Sequence, residues 1–256
     1  MRLPPRELQS GRLDPETLAT AVELVRTDGY VVFEGVLDAA FVARLREAFF
    51  EVFLPYVEDH PQNRGANRYQ MHLPFREPFS DPRLIANPFA LPIVEALLGA
   101  DCVCQYFASD TPLPGSDFQA VHSDIHALFP ESDLVVPAYG LVLNVNLVDF
   151  REENGPLEIW PGGTHRMPPN AELKKLAPLM QSRKVLMPAG SVLLRDLRAW
   201  HRGTPNRSNE PRPNLALIYA RSWLKTHYPP IAIPKAAYAG LSERARKLFR
   251  LERIEE

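Results

Sequence analysis

His122 and Asp124 stand two residues apart in Val121-His122-Ser123-Asp124, and an extended chain points alternate side chains to the same side. An imidazole and a carboxylate placed this way can reach one metal ion together. Further along, Gly190-Ser-Val-Leu-Leu-Arg-Asp-Leu-Arg-Ala-Trp-His201 reads as a turn, an apolar strand and then another histidine. Two histidines and one carboxylate on one face of a metal, with the opposite face open, form the arrangement used by non-haem iron(II) oxygenases. The open face has room for a bidentate ligand and for oxygen. An H-x-D pair alone is weak, because it also arises as a partly buried ion pair, so the surrounding pattern decides.

Arg212 follows in Glu210-Pro-Arg-Pro, just before another strand. A guanidinium offers a carboxylate a fixed fork of donors and keeps its charge, whereas an arginine in a polar loop is otherwise a surface residue.

Together these residues resemble the phytanoyl-CoA dioxygenase-like proteins. That family carries H-x-D, then an aspartate, an N-G and a P-G-x-H in a compact stretch, then a distal His followed by an Arg. Here His122 and Asp124, the run DFREENGPLEIWPGGTHR from Asp149 to Arg166, and His201 with Arg212 eleven residues later match each piece. The similarity extends from about Tyr30 to Trp223. It implies a mainly β fold with flanking α-helices, a double-stranded β-helix (jelly roll, cupin-like) with the metal inside one end. It also implies Fe(II) on His122, Asp124 and His201, the distal carboxylate of 2-oxoglutarate on Arg212, and O2 as the other cosubstrate. The reaction implied is hydroxylation of a small molecule with release of succinate and CO2. Desaturation, ring formation or epimerisation on the same scaffold is an alternative, and a non-catalytic metal- or ligand-binding jelly roll is the rival from another class.

Two departures bear on the family pattern. Pro161-Gly-Gly-Thr-His165 has one glycine more than the usual P-G-S-H, so no role passes directly to Thr164 or His165. Asp124 is retained where related halogenases carry a small residue that admits chloride, which favours hydroxylation over halogenation.

Other polar residues are candidates by position. In Leu141-Val-Leu-Asn144-Val-Asn146-Leu-Val, four apolar residues share one face and Asn144 and Asn146 the other. The amides either line an interior that holds the cosubstrate or face solvent on an outer strand. Gln119, three residues before His122, is a similar candidate for cosubstrate contact. His126, four residues past His122, is too far along for the same ion and is a candidate for the pocket wall. His60, His72, His165 and His227 read as surface or loop residues. The polar stretch from Glu58 to Phe79 reads as a long loop at the pocket mouth, with Arg68 or His72 contacting a polar or anionic group of the substrate. A solvated linker is the competing reading.

These residues need a scaffold. Asp14-Pro15 reads as a helix start, with Leu18, Ala21, Val22 and Val25 at helical spacing and Gly29 at the C-cap. A strand at Tyr30-Val-Val-Phe33 follows. Asp38 caps a second helix whose apolar face, from Phe41 through Leu45 and Phe49, runs to about Leu54. A short helix near residues 89–98 comes before strands at Cys102–Ala108, Ala120–Asp124, Ala138–Val148, Leu157–Trp160, Lys184–Met187, Ser191–Arg195 and Leu215–Ser222. A C-terminal helix at about 242–251 ends the list. The expected organisation is one oxygenase domain over residues 1–256, with helices at about 14–54 and a jelly-roll core at about 100–223.

Composition narrows the function classes. With 256 residues, 45% hydrophobic and 23% charged, the chain has the makeup of a globular domain with a sizeable core. A formal net charge of −2 supplies no clustered cationic surface for phosphate backbones or anionic lipid. Nucleic acid and membrane are therefore not expected partners, and the partner is a small-molecule substrate. Its 26 prolines are spread along the chain, as suits many turns and strand ends. Cys102 and Cys104 read as small buried hydrophobes, since two cysteines so close build no disulfide framework. Without an apolar run of leader or spanning length, a cytoplasmic location is the expectation.

Overall fold

A computed structural model describes residues 1–168 and 172–256. Near the N-terminus lie helices α1 (Pro5–Ser10) and α2 (Pro15–Asp28), strand β1 (Tyr30–Phe33) and helix α3 (Ala39–Asp59). Pro15 opens α2, and Gly29, at φ 85°, closes it in the left-handed conformation that glycine adopts readily. Asp38 caps α3 by accepting from the Phe41 amide at 2.8 Å. The sequence places the end of α3 near Leu54, but the helix runs through Pro55 to Asp59. Tertiary contact explains the extension: the Tyr56 hydroxyl donates to the Gln70 carbonyl at 3.1 Å and anchors the last turn.

The chain continues through β2 (Arg68–His72), α4 (Pro82–Ile85), α5 (Leu91–Leu98), β3 (Val103–Pro112), β4 (Gly140–Asn146) and β5 (Leu157–Ile159). It then forms α6 (Leu173–Leu176), β6 (Arg183–Lys184), β7 (Val192–Asp196), β8 (His201–Gly203) and β9 (Asn214–Ala220). The C-terminal part adds β10 (Ala232–Pro234), α7 (Lys235–Gly240), α8 (Glu243–Leu248) and β11 (Arg253–Glu255). Six strands form the larger sheet in the order β1-β7-β4-β9-β3-β2, antiparallel throughout. The smaller antiparallel sheet runs β6-β5-β8, and neither sheet closes into a barrel.

The alternation along β4 sorts two environments. Leu141, Leu143 and Val145 join Leu215, Leu217 and Tyr219 of β9 in the main core, packed with the apolar faces of α2, α3 and α5. Val142 and Asn144 point the other way into a cavity between the sheets, beside Leu193 of β7 and Ala216 of β9, both register partners of Asn144. One face of the large sheet therefore anchors the helices while the other holds the site.

Other stretches differ from the sequence reading as well, among them the strand expected at Lys184–Met187, which forms at Arg183–Lys184. Residues 58–79 are not one long loop, because β2 lies inside them and pairs with β3 along the sheet edge. Tyr69 and Met71 are buried on the core face, while Arg68, Gln70 and His72 alternate on the other, which gave the stretch its polar look. Ala120–Asp124 is an extended segment joined to β8 through a single bridge at His122. Near the C-terminus, the helix expected over 242–251 contracts to α8, and the parallel pair of β10 with β11 was not foreseen. Cys102 and Cys104 are free and buried, and burial pushes both thiols up. Among the described residues, no helix is long and apolar enough to cross a membrane.

Gly190 sets the turn into β7. It sits at φ +78°, and a Cβ there would lie 2.7 Å from the Leu37 carbonyl oxygen. Gly190→Ala is expected to destabilise the protein by about 1–3 kcal/mol, read as a lowered urea midpoint at unchanged m. An unshifted midpoint would show that the turn relaxes freely.

Candidate metal centre

The end of β7, the turn after it and β8 bring the site together. In that turn Asp196 accepts from the Arg198 amide at 2.9 Å and from its guanidinium. The chain returns as β8, where the amides of His122 and His201 each donate to the other's carbonyl at 3.0 Å. Asp124 is fixed by its amide, which donates to the Leu197 carbonyl at 2.8 Å. The backbone thus carries all three side chains to one place.

His122 Nε2 lies 3.7 Å and His201 Nε2 3.4 Å from Asp124 Oδ1, and one ligand atom from each residue lies within 4.8 Å of the others. Each ring is oriented from behind: His122 Nδ1 is 2.8 Å from the Ala120 carbonyl and His201 Nδ1 is 3.0 Å from that of Ala199. A carbonyl only accepts, so each Nδ1 carries the proton and each Nε2 lone pair faces the cluster. Two neutral imidazole nitrogens and one carboxylate oxygen suit a divalent transition metal.

Charge is arranged to the same end. Asp124 Oδ2 accepts from the Arg195 guanidinium at 2.6 Å, which leaves Oδ1 for the cluster. Burial pushes the Asp124 carboxyl up, but His201, Arg195 and His122 outweigh it and hold it well below the usual carboxylate range. Burial, reinforced by Arg195, drives His201 down to about 4. Between the ordinary value of 6.5 and about 4, the unfolded chain therefore binds a proton that folded His201 excludes. Stability contributed by this group is present above that window and is lost as pH falls through it. Acidifying the metal-free protein from pH 7 to 4.5 should remove on the order of 2 kcal/mol through His201. Paired urea titrations of the parent and His201→Leu test this, and equal acid losses in both would refute it.

A cavity of about 340 Å³ opens from the cluster between the sheets, and Arg212, Gln119, Asn144, Asp110 and Asn214 are in its wall. Arg212 is 2% exposed, its guanidinium stacks 4.3 Å from the Phe150 ring centroid, and its Nε has no partner. Burial lowers it to about 10, against the opposing pull of Asp110, so it stays charged near neutrality. Asp110 Oδ1 and Asn214 Oδ1 are likewise buried without partners. A buried, inward guanidinium whose Nε–H is left open fits a small carboxylate ligand, whereas the two open oxygens beside it are acceptors and pair only with a donor. Gln119 Oε1 accepts from the Gly203 amide at 2.9 Å, so its oxygen is tied to β8.

The remaining sequence candidates fall elsewhere. Arg68 is buried outside the cavity lining and donates to the carbonyls of Asp117 and Thr204. His72 is exposed, its ring 5.6 Å from that of Tyr106, also outside the lining. His126 borders a second cavity of about 260 Å³. In their place Arg64, Gln70, His227 and Tyr228 line the main cavity.

Asn146, on the same β4 face as Asn144, is structural: its amide donates to the carbonyls of Val148 and Pro188, both at 2.8 Å. The doubled glycine also finds its reason here. Gly162 and Gly163, at φ 81° and 98°, turn the chain into a short 3-10 helix at Thr164–Arg166. Thr164 Oγ1 then donates to the Trp160 carbonyl at 2.8 Å and accepts from the Trp200 amide at 3.1 Å, bracing the residue before His201. His165, expected as a surface or loop residue, is buried with Nε2 3.1 Å from the Arg26 carbonyl. Arg195 escaped the sequence reading, although a lone arginine at an inward register of a buried strand was its available signal.

Two antiparallel sheets, flanking helices and a His-Asp-His cluster beside a buried arginine define a jelly-roll protein with a candidate metal centre. The chain belongs to the phytanoyl-CoA dioxygenase (PhyH) family, whose model matches residues 25–214. It is 27% identical over 213 residues to the dioxygenase af480 of Aspergillus fumigatus, an alignment covering 79% of this chain. The chain spans 63% of that relative's length. Among solved structures it resembles the epimerase SnoN in complex with Fe3+, alpha ketoglutarate and nogalamycin RO. That match has a TM-score of 0.65 and 23% identity, covering 82% of this chain and 85% of SnoN. EvdMO1 is similar at TM-score 0.65 and 22% identity, over 80% of this chain and 50% of EvdMO1. At these identities the likeness to solved structures concerns the fold.

Proposed function

We propose that this chain is an iron(II)- and 2-oxoglutarate-dependent dioxygenase that hydroxylates a small molecule and releases succinate and CO2. The observation that carries the reading is the His122-Asp124-His201 cluster in one cavity with Arg212, a buried guanidinium whose Nε lacks a partner. Family membership supports it, and SnoN, on the same fold, is described with iron and alpha ketoglutarate.

In this reading His122 and His201 offer their Nε2 atoms and Asp124 its Oδ1 to iron(II). Arg195 holds Asp124 Oδ2 and so fixes which oxygen faces the metal. Arg212 clamps the distal carboxylate of 2-oxoglutarate, with Asn144 and Gln119 along its flank. When bound, iron(II) supplies the oxidising chemistry that couples decarboxylation of 2-oxoglutarate to attack on a C–H bond. The protein orients the substrate, and Val142, Leu193 and Ile218 line the cavity with apolar surface that excludes water.

The test is iron-dependent conversion of 2-oxoglutarate to succinate, with iron(II) bound at one per chain. Absence of iron uptake under anaerobic conditions, or iron uptake without succinate formation across a substrate screen, would overturn the reading. Epimerisation, the activity named for SnoN, is the second reading that the likeness in fold supports. Product analysis separates the outcomes, since a hydroxylated product gains an oxygen atom and an epimer does not.

A further inference from the structure

The part of the cavity wall left over from the metal and Arg212 has a composition of its own. Tyr106 and Tyr228 stand with ring centroids 4.6 Å apart, and His227 lies 4.7 Å beyond Tyr228. Tyr228 also packs against the apolar cluster that includes Tyr106, Val142 and Ile218 of the large sheet. Burial pushes the hydroxyls of Tyr106 and Tyr228 up, so both are neutral near pH 7. Gln70 joins this wall to the mouth, because its Nε2 donates to the Tyr106 hydroxyl while its Oε1 accepts from Arg64.

Arg64 is exposed, lines the cavity and forms no ion pair among the described residues. The other charged residues that line the cavity balance once it is loaded, and Arg68, behind the lining, has Asp117 as a further counter-charge. Iron(II) offsets the two carboxylates of 2-oxoglutarate, Asp124 is paired with Arg195, and Asp110 offsets Arg212. One positive charge is left at the mouth, next to an aromatic and apolar wall.

We propose that the substrate is a small ring-bearing monocarboxylate, its acid group on Arg64 and its ring against Tyr106 and Tyr228. The inference rests on the dioxygenase reading, because the charge balance includes the metal and 2-oxoglutarate. A planar carboxylate matches the donor fork of a guanidinium, and one negative charge completes the balance. Aromatic side chains favour a ring by offset or edge contact, and Val142 and Ile218 supply apolar surface around it. The geometry also replaces Arg68 and His72 as anion partners, since neither borders this cavity.

The experiment loads the protein with iron(II) and 2-oxoglutarate without oxygen and measures ligand binding by saturation-transfer NMR. The probes are phenylacetate, 3-phenylpropanoate and cyclohexanecarboxylate, each beside its neutral amide. At least one acid should bind about tenfold more tightly than its amide, which corresponds to about 1.4 kcal/mol. In Arg64→Gln that preference should disappear with amide binding unchanged, whereas Tyr228→Ala should weaken acid and amide alike and keep the preference. Equal binding of acids and amides, a preference that survives Arg64→Gln, or no binding by any probe would overturn the inference. Uptake of iron(II) and 2-oxoglutarate is titrated first. Failure at that step defeats the dioxygenase reading itself, and success there followed by failure with the acids defeats the substrate class alone.

Discussion

Asp124→Ala is expected to abolish turnover and to weaken iron(II) binding by at least about a hundredfold, since losing outer-shell partners alone costs ten- to a hundredfold. Two effects combine. The substitution removes the anionic donor, and it also leaves the Arg195 guanidinium, 2.6 Å from Asp124 Oδ2 in the intact protein, with no carboxylate to pair with. Arg195 Nε already lacks a partner and the residue is buried, so the stranded cation faces the position a metal ion would occupy. Adding Arg195→Leu to Asp124→Ala should recover folding stability without recovering metal binding, and a double-mutant cycle on both properties separates the roles. The measurements are iron stoichiometry after anaerobic loading, competition with a chelator, and succinate yield. Full occupancy with normal turnover in Asp124→Ala would sink the assignment of this carboxylate.

How much of this was legible follows from which interactions are local. The alternation in Val121-His122-Ser123-Asp124 holds in any extended chain, so the two side chains could be placed on one side before any sheet was known. His201 needed the turn and strand ahead of it, which the sequence marks with Gly190 and an apolar run. The core face of β4 was readable from its alternation, but not which asparagine reaches the cavity. That depends on where the strand ends: Asn146 lies beside Val148 and Pro188, whose carbonyls take its amide protons.

The misplaced Arg68 and His72 share one cause, which is register at a sheet edge. In β2 the polar residues face the same side as the cavity, so the segment resembles a solvated loop when no partner strand is known. Pairing of Arg68 with Pro112 and of Gln70 with Asp110 puts Arg68 beneath the Thr204 carbonyl and Gln70 in the lining. Arg64, four residues earlier in the connection from α3, then reaches the mouth. Arg195 was hidden similarly, because its partner Asp124 is 71 residues away and neither has a local pattern naming the other.

Arg212→Ala is expected to weaken 2-oxoglutarate binding by about 1.5–3 kcal/mol, the usual worth of a hydrogen bond to a charged group. That is roughly ten- to a hundredfold or slightly more in dissociation constant. Iron(II) affinity should change little, because Arg212 is not among the clustered residues and its guanidinium stacks on Phe150 instead. Arg212→Lys should recover part of the loss at most, since an ammonium keeps the charge but gives up the planar fork and the stacked face. Calorimetric titration of 2-oxoglutarate into anaerobic iron-loaded protein gives the first quantity, and chelator competition gives the second. The two readouts must diverge, with cosubstrate affinity falling while metal affinity holds. If metal binding collapses while 2-oxoglutarate affinity is unchanged, Arg212 supports the fold around the cluster, and the partnerless atoms beside it serve some other ligand.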